Sequence, residues 1–197
     1  MGKSTVSLSR SSSLIASCGF ALSGAAFAVG NLLLARAMPT DDYGRFSLGL
    51  ALFIVFSHMA PFGINQLMLR REIDPSPRLL ARLLAQGALT ATLAGFGAHV
   101  AYGLHLTDVL LVGLAITSGH LLWITTAGLQ KQNRRLAALG SLTAPDWILL
   151  AVGVGALMAP PATATVPLVF YCVAVALAGP LAWSAFAATH RVRSPPN

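Results

Sequence analysis

Charge is scarce in this sequence. Of 197 residues only 10% are charged, with Lys+Arg 13 against Asp+Glu 6, while 55% are hydrophobic; soluble domains carry about 25% charged residues. Such a chain has too little polar surface to face water on all sides, so lipid is its main solvent. Acids are so few that an active site built on paired carboxylates or a carboxylate-held metal is disfavoured. With only 2 cysteines, Cys18 and Cys172, both inside apolar stretches, a disulfide framework or zinc site is disfavoured and the pair is expected as buried free thiols. A run of basic residues interleaved with aromatics is missing too. The net charge of +7 is therefore not a nucleic-acid footprint, and no metal, cofactor or nucleic acid is expected.

What is present is a series of six apolar stretches at about residues 13–37, 46–69, 79–104, 107–129, 136–158 and 165–189. Each reaches the roughly 20 residues that cross a bilayer as a helix. The connectors are short: Met38–Gly44, Arg70–Arg78 with Pro75 and Pro77, His105–Thr107, Lys131–Arg135 and Ala159–Thr165. Short loops force neighbouring spans antiparallel. The fold class is thus all-α, a polytopic transmembrane bundle of about six spans at 13–189, between an N-terminal segment at 1–12 and a tail at 190–197.

Orientation follows from the basic residues. Eleven of the 13 fall on one side: Lys3, Arg10, Arg70, Arg71, Arg78, Arg82, Lys131, Arg134, Arg135, Arg191 and Arg193. Arg36 and Arg45 fall on the other. The positive-inside rule then places both termini in the cytoplasm. Two processing signals compete with the first span. Ile15-Ala16-Ser17-Cys18 lacks an apolar core ahead of it for a lipoprotein box, and Ala26-Phe27-Ala28 lies within an apolar run that continues through Leu34, so an uncleaved span is expected.

Ionisable groups inside spans are costly and mark function by default. Asp146, directly after Pro145 near the middle of the fifth span, is the foremost candidate, for ion coupling by a proton or sodium. Its alternative is to cap a helix that starts there. His58, His99 and His120 fall in the second, third and fourth spans, where hydrogen bonding between helices is the expected use. Seven-residue spacings put Ser23 with Gly30 and Asn31, His58 with Asn65, and Ser118 with Thr125 on single helix faces. These faces line a hydrophilic path or, for the small residues, let helices pack closely. Arg70 and Arg71 are placed to meet an anionic lipid head or to anchor topology.

The segment from Asn31 to Glu72, with Leu33-Leu34-Ala35-Arg36, then Asp41-Asp42-Tyr43-Gly44-Arg45-Phe46, then Phe62-Gly63 leading to Arg70-Arg71-Glu72, resembles the opening helical hairpin of lipid-linked oligosaccharide flippases of the multidrug/oligosaccharidyl-lipid/polysaccharide exporter superfamily. By its residues alone the same segment is a well-made hairpin, with Asp41 or Asp42 capping the second helix or pairing with Arg36 or Arg45, and Gly44 permitting a tight turn. The first span has no basic residue between Arg10 and Arg36, which brings the resemblance nearer to exporters of O-antigen and related polysaccharide units than to the lipid II branch.

The resemblance implies a multi-pass protein of the bacterial inner membrane that flips a polyprenyl-linked oligosaccharide in cell-surface polysaccharide synthesis, without acting as an enzyme. It also implies that this chain supplies one six-helix lobe, and that a second lobe, from another copy or a partner chain, completes the transporter. Carried onto this sequence, Asn31, His58, Asn65, Arg70 and Arg71 become substrate contacts and Asp146 the ion-coupling residue. Two other readings stand beside it: a small integral-membrane enzyme acting on lipid-linked substrates, and a non-transporting scaffold or truncated fragment.

Overall fold

The computed structural model describes residues 4–70, 75–159 and 163–193. Among these residues seven helices follow one another: α1 (Ser4–Ala37), α2 (Thr40–Met59), α3 (Ile64–Arg70), α4 (Pro77–Tyr102), α5 (Leu106–Lys131), α6 (Arg135–Met158) and α7 (Thr165–Arg193). No strand occurs among the described residues. Five of these helices are individually long and apolar enough to cross a membrane, and α2 with α3, bent by 45°, make a sixth span if counted together. The protein is a multi-pass helical membrane bundle.

The helix ends have local causes. Ser76 caps α4 by accepting from the Leu79 N–H at 3.2 Å, with Pro77 in the first turn where its missing N–H costs nothing. Gly103 ends α4 in the left-handed region at φ 64, which only glycine enters freely. The turn from α5 to α6 is closed by Asn133 at φ 59 and by the Arg134 N–H donating to the Leu129 carbonyl at 2.9 Å.

Two expectations about the second span are corrected. It starts earlier than residue 46: Pro39 is the N-cap, no side chain caps the helix, and Asp41 and Asp42 sit in its first turn beside the positive end of the helix dipole. Gly44 is helical and meets nothing within 4 Å, so it serves neither a turn nor a close approach. The apolar run 46–69 is also not one helix. Pro61 has no N–H to continue the ladder, and Phe62 (φ 42) and Gly63 (φ 82) turn left-handed, so the chain bends before α3 begins. The seven-residue spacing of His58 and Asn65 thus spans a break and defines no common face.

Helix α5 is the axis of the bundle. It packs against α2, α3, α4, α6 and α7, and 61% of its most apolar stretch is buried against 22–33% for the other four long spans. α1 lies apart and docks almost wholly on α6. That docking is backbone on backbone: a Cβ on Gly153 would stand 2.7 Å from the Gly30 carbonyl oxygen, and one on Gly30 would stand 2.9 Å from the Leu149 carbonyl carbon. Small residues at such crossings let helices gain dispersion contacts that lipid would otherwise supply.

Polarity is distributed as lipid demands. Leu89, Leu93, Phe96, Leu110, Leu114, Phe170, Leu177 and Leu181 are exposed on the outside, while Ser23, Ser57, Ser118, His120, Thr125 and Thr126 are buried within. Two apolar clusters fill the interior. One contains Leu34, Phe46, Phe53, Val112, Leu149, Leu168 and Tyr171; the other contains Met68, Leu83, Leu121, Ile124, Ala138, Trp183 and Phe186. The second lies toward the end of the bundle that carries Arg70, Arg78, Arg82, Lys131, Arg134 and Arg135. The far end of α7 reaches that same end, where Thr189 Oγ1 donates to Gln132 Oε1 at 3.0 Å. At the opposite end Arg45 and His105 are hydrogen-bonded at 2.8 Å.

Candidate functional site

Helix α6 runs unbroken from Arg135 to Met158 with Pro145 inside it. Asp146 is therefore mid-helix, and the reading in which it caps a helix is excluded. Proline at 145 removes one ladder bond, that from its own nitrogen to the Ser141 carbonyl. Across the interface Ser23 of α1 donates a hydrogen bond to Asp146 Oδ2. Ser23 is buried and Asp146 half-buried.

These residues open on a cavity of about 360 Å³ between α1, α2, α5 and α6. α1 contributes Phe20, Ser23 and Phe27; α2 contributes Phe53, Ser57 and His58; α5 contributes Gly119 and Trp123; α6 contributes Ser141, Thr143, Pro145 and Asp146; Tyr171 reaches in from α7. The His58 and Trp123 rings lie 4.0 Å apart and tilted by 53°. His58 Nδ1 donates to the Ile54 carbonyl at 2.6 Å. Tyr171 makes edge contacts with Phe53 at 5.7 Å and with Phe46 at 6.3 Å. No Lys or Arg is among the lining residues.

Of the residues singled out in the sequence, Asp146, Ser23 and His58 come together here. Asn31 does not line the cavity; its amide donates to the Phe27 carbonyl one turn back, at 3.0 Å. Asn65 lies beyond the bend, on α3, where its side chain accepts from the Gln66 N–H at 2.9 Å. Arg70 is exposed at the end of α3, and Arg71 lies outside the described residues. Ser118 is interhelical glue: its hydroxyl donates to the carbonyls of Val175 (2.7 Å) and Ala176 (3.1 Å) and accepts from the Gly179 N–H (3.1 Å).

The other histidines diverge from the expected bridging role. His99 bonds to the Leu104 carbonyl, just past the end of its own helix, at 2.8 Å. His120 is fully buried with neither ring nitrogen partnered, and Thr125 likewise has no partner for its hydroxyl. Cys172 is buried as expected, but Cys18 is exposed on α1. Among the described residues no three His, Cys, Asp or Glu side chains assemble as a metal site.

Sequence reasoning passed over Ser57, Trp123 and Tyr171, whose aromatic and hydroxyl groups shape the cavity. No spacing signal distinguishes them from ordinary core residues. It also passed over Asp108, in the first turn of α5, buried with Oδ1 unpartnered.

The fold and this site define a class: a multi-pass helical membrane protein with a largely apolar, aromatic-walled cavity inside the bundle and a carboxylate and a few hydroxyls at its wall. No particular protein or family can be set beside it, because neither a family model, nor a curated protein, nor a solved structure matches the chain.

Proposed function

We propose that this chain is a membrane transport protein, one six-helix lobe of an exporter that moves a polyprenyl-linked oligosaccharide across the bacterial inner membrane. The observation that carries the transport reading is Asp146: an ionisable group in mid-span, after a helix proline, bonded across a helix interface and opening on a cavity. Intramembrane acids in such settings exchange protons or cations as helices rock. When Asp146 takes up a proton or a small cation, its bond from Ser23 changes and the α1–α6 contact is biased with it. The lipid-linked substrate rests on the resemblance of Asn31–Glu72, and the inward orientation of the basic end rests on the positive-inside rule.

The test is reconstitution of the full chain into vesicles loaded with a fluorescent polyprenyl-pyrophosphate oligosaccharide, following its protection from an added glycosidase. Transport that depends on a proton or sodium gradient, and that Asp146→Asn abolishes, supports the reading. Gradient-independent movement unaffected by that substitution removes Asp146 from the mechanism. Light scattering of the extracted protein is expected to give a dimer, since one lobe holds only half of the passage implied by the resemblance; a strict monomer points to the scaffold reading. Maleimide labelling of Asp41→Cys from the periplasm and Lys131→Cys from the cytoplasm checks orientation.

A further inference from the structure

Helices α1 and α2 leave the Asp146 cavity unsealed on one side. α1 docks on α6, barely touches α2 and, among the described residues, does not touch α5. Phe20 of α1 and His58 of α2 both line the cavity, and both are exposed, Phe20 at 52%. The mouth therefore lies between these two helices. α1 is a span, and α2 with α3 makes another, so the mouth opens sideways toward the bilayer. What enters by that route has first partitioned into lipid and is amphiphilic.

Inside, one group carries a charge without a counter-charge. Among the described residues the only hydrogen bond to the Asp146 carboxylate comes from Ser23, and no Lys or Arg lines the cavity. His58 turns its Nδ1 to the Ile54 carbonyl and forms no ion pair with the acid. A carboxylate offers about four lone-pair sites, of which Ser23 occupies one. Among walls this apolar an ionised carboxylate is costly until a counter-charge reaches it. The cavity thus selects cations over anions.

Shape and walls narrow the class of cation. A volume of about 360 Å³ stands at the small end of ligand pockets, roughly 300–1,000 Å³, and is far more than a bare metal ion fills. Phe20, Phe27, Phe53, Trp123 and Tyr171 contribute aromatic rings, whose faces attract an ammonium and whose area takes up an apolar body. The hydroxyls of Ser57, Ser141 and Thr143 donate to backbone carbonyls of their own helices, at 3.3, 3.1 and 3.0 Å, and keep lone pairs for N–H donors of a ligand. The Trp123 N–H and the Tyr171 O–H line the cavity too; these donors are neutral and supply no counter-charge.

We propose that the cavity is a binding site for a small amphiphilic amine: its ammonium pairs with Asp146, its apolar body lies among the rings, and it enters from the bilayer between α1 and α2. An ethanolamine lipid headgroup also carries an ammonium, but with a phosphate beside it, and nothing basic lines the cavity to receive that phosphate. The site goes beyond the exporter reading and does not rest on it. Where Asp146 couples a proton or a small cation, an amine seated there takes that ion's place, so the same ligand blocks ion-coupled movement.

The experiment is titration calorimetry on the full chain in dodecyl maltoside at neutral pH, with each heat corrected for the same ligand added to empty micelles. The probes are phenethylamine, its neutral isostere phenethyl alcohol, the anion hydrocinnamate, and phosphoethanolamine. Phenethylamine is expected to bind roughly tenfold more tightly than phenethyl alcohol, with hydrocinnamate and phosphoethanolamine weaker still. Asp146→Asn brings the amine down to the level of the alcohol and leaves the alcohol unchanged. Equal binding of amine and alcohol by the unmodified chain means that Asp146 supplies no counter-charge and overturns the proposal, as does hydrocinnamate binding at least as tightly as the amine. Phosphoethanolamine matching the amine makes this a lipid-headgroup site and overturns it too. These ratios on the unmodified chain need no variant to fold. The expected ratios without vesicle transport leave the amine site and remove the exporter; transport with flat ratios leaves the exporter and removes the amine site.

Discussion

Two helices of this bundle carry a proline in their interior, and the structure treats them differently. In α7, Pro180 frees the Ala176 carbonyl, and Ser118 of the neighbouring α5 fills the gap, donating to the Val175 and Ala176 carbonyls and accepting from the Gly179 N–H. In α6, Pro145 frees the Ser141 carbonyl at the wall of a cavity, beside Asp146. One proline is sealed by a partner helix and belongs to packing; the other lines a cavity and belongs to the site. A helix-breaking residue in a span is tolerated when the freed backbone group is satisfied by protein or lines a polar cavity, and this chain uses both solutions.

The contrast can be broken first at the helix interface that holds the open site together. Gly153→Leu drives a side chain into the Gly30 backbone and should cost about 3 kcal/mol, the upper range for overpacking, while Gly155→Leu, which meets nothing within 4 Å, should stay within about 0.5 kcal/mol. Reversible unfolding in mixed micelles compares them. Equal losses would mean that α1 does not dock on α6 through these glycines.

A sharper test addresses the two prolines directly. Ser118→Ala leaves freed carbonyls of α7 unpaired and is expected to cost about 1–2 kcal/mol, whereas Ser141→Ala, beside Pro145, should cost less than about 0.5 kcal/mol because its hydroxyl only bonds back to its own helix. Pairing Ser118→Ala with Pro180→Ala should shrink the Ser118 effect by at least about 0.5 kcal/mol, since the double-mutant cycle isolates the repaired gap. Additive losses would separate Ser118 from Pro180.

The smallest stability effect expected is at Pro145 itself. Replacing it with Ala restores one ladder bond and should shift stability by no more than about 1 kcal/mol, in the stabilising direction. Vesicle transport should nevertheless fall, because the loosened helix beside Asp146 is lost. Unchanged transport would place Pro145 with Pro180 as a packing feature.

How much of this was legible beforehand varies with the range of the interaction concerned. The spans were, because apolar length is a local property: α4, α5, α6 and α7 overlie the expected stretches closely, while α1 contains its stretch but begins at Ser4, within the expected N-terminal segment. The break in the second span was partly legible in Pro61 and Gly63, but continuous hydropathy masked it, since residues on both sides of a bend face the same apolar environment. Asp146 stood out because an acid in a span is expensive wherever the helix lies. Ser23 was marked only by its helix face and not as the partner of Asp146, from which it lies 123 positions away. The face periodicities gave mixed results: Ser118 serves packing, and Asn31 returns its amide to its own helix.

By itself the sequence determined a lipid-embedded helical bundle, the approximate extent of most of its spans, and the asymmetry of positive charge between its two ends, because burial in hydrocarbon and charge at the membrane surface act residue by residue. Only the tertiary structure decided which polar groups meet. It brought α1 against α6 through glycines, set Ser23 on Asp146, closed the gap at Pro180 with Ser118 and left the one at Pro145 beside a cavity. Those outcomes depend on helix rotation and crossing, which many similar apolar surfaces permit and only the packed ensemble of side chains selects.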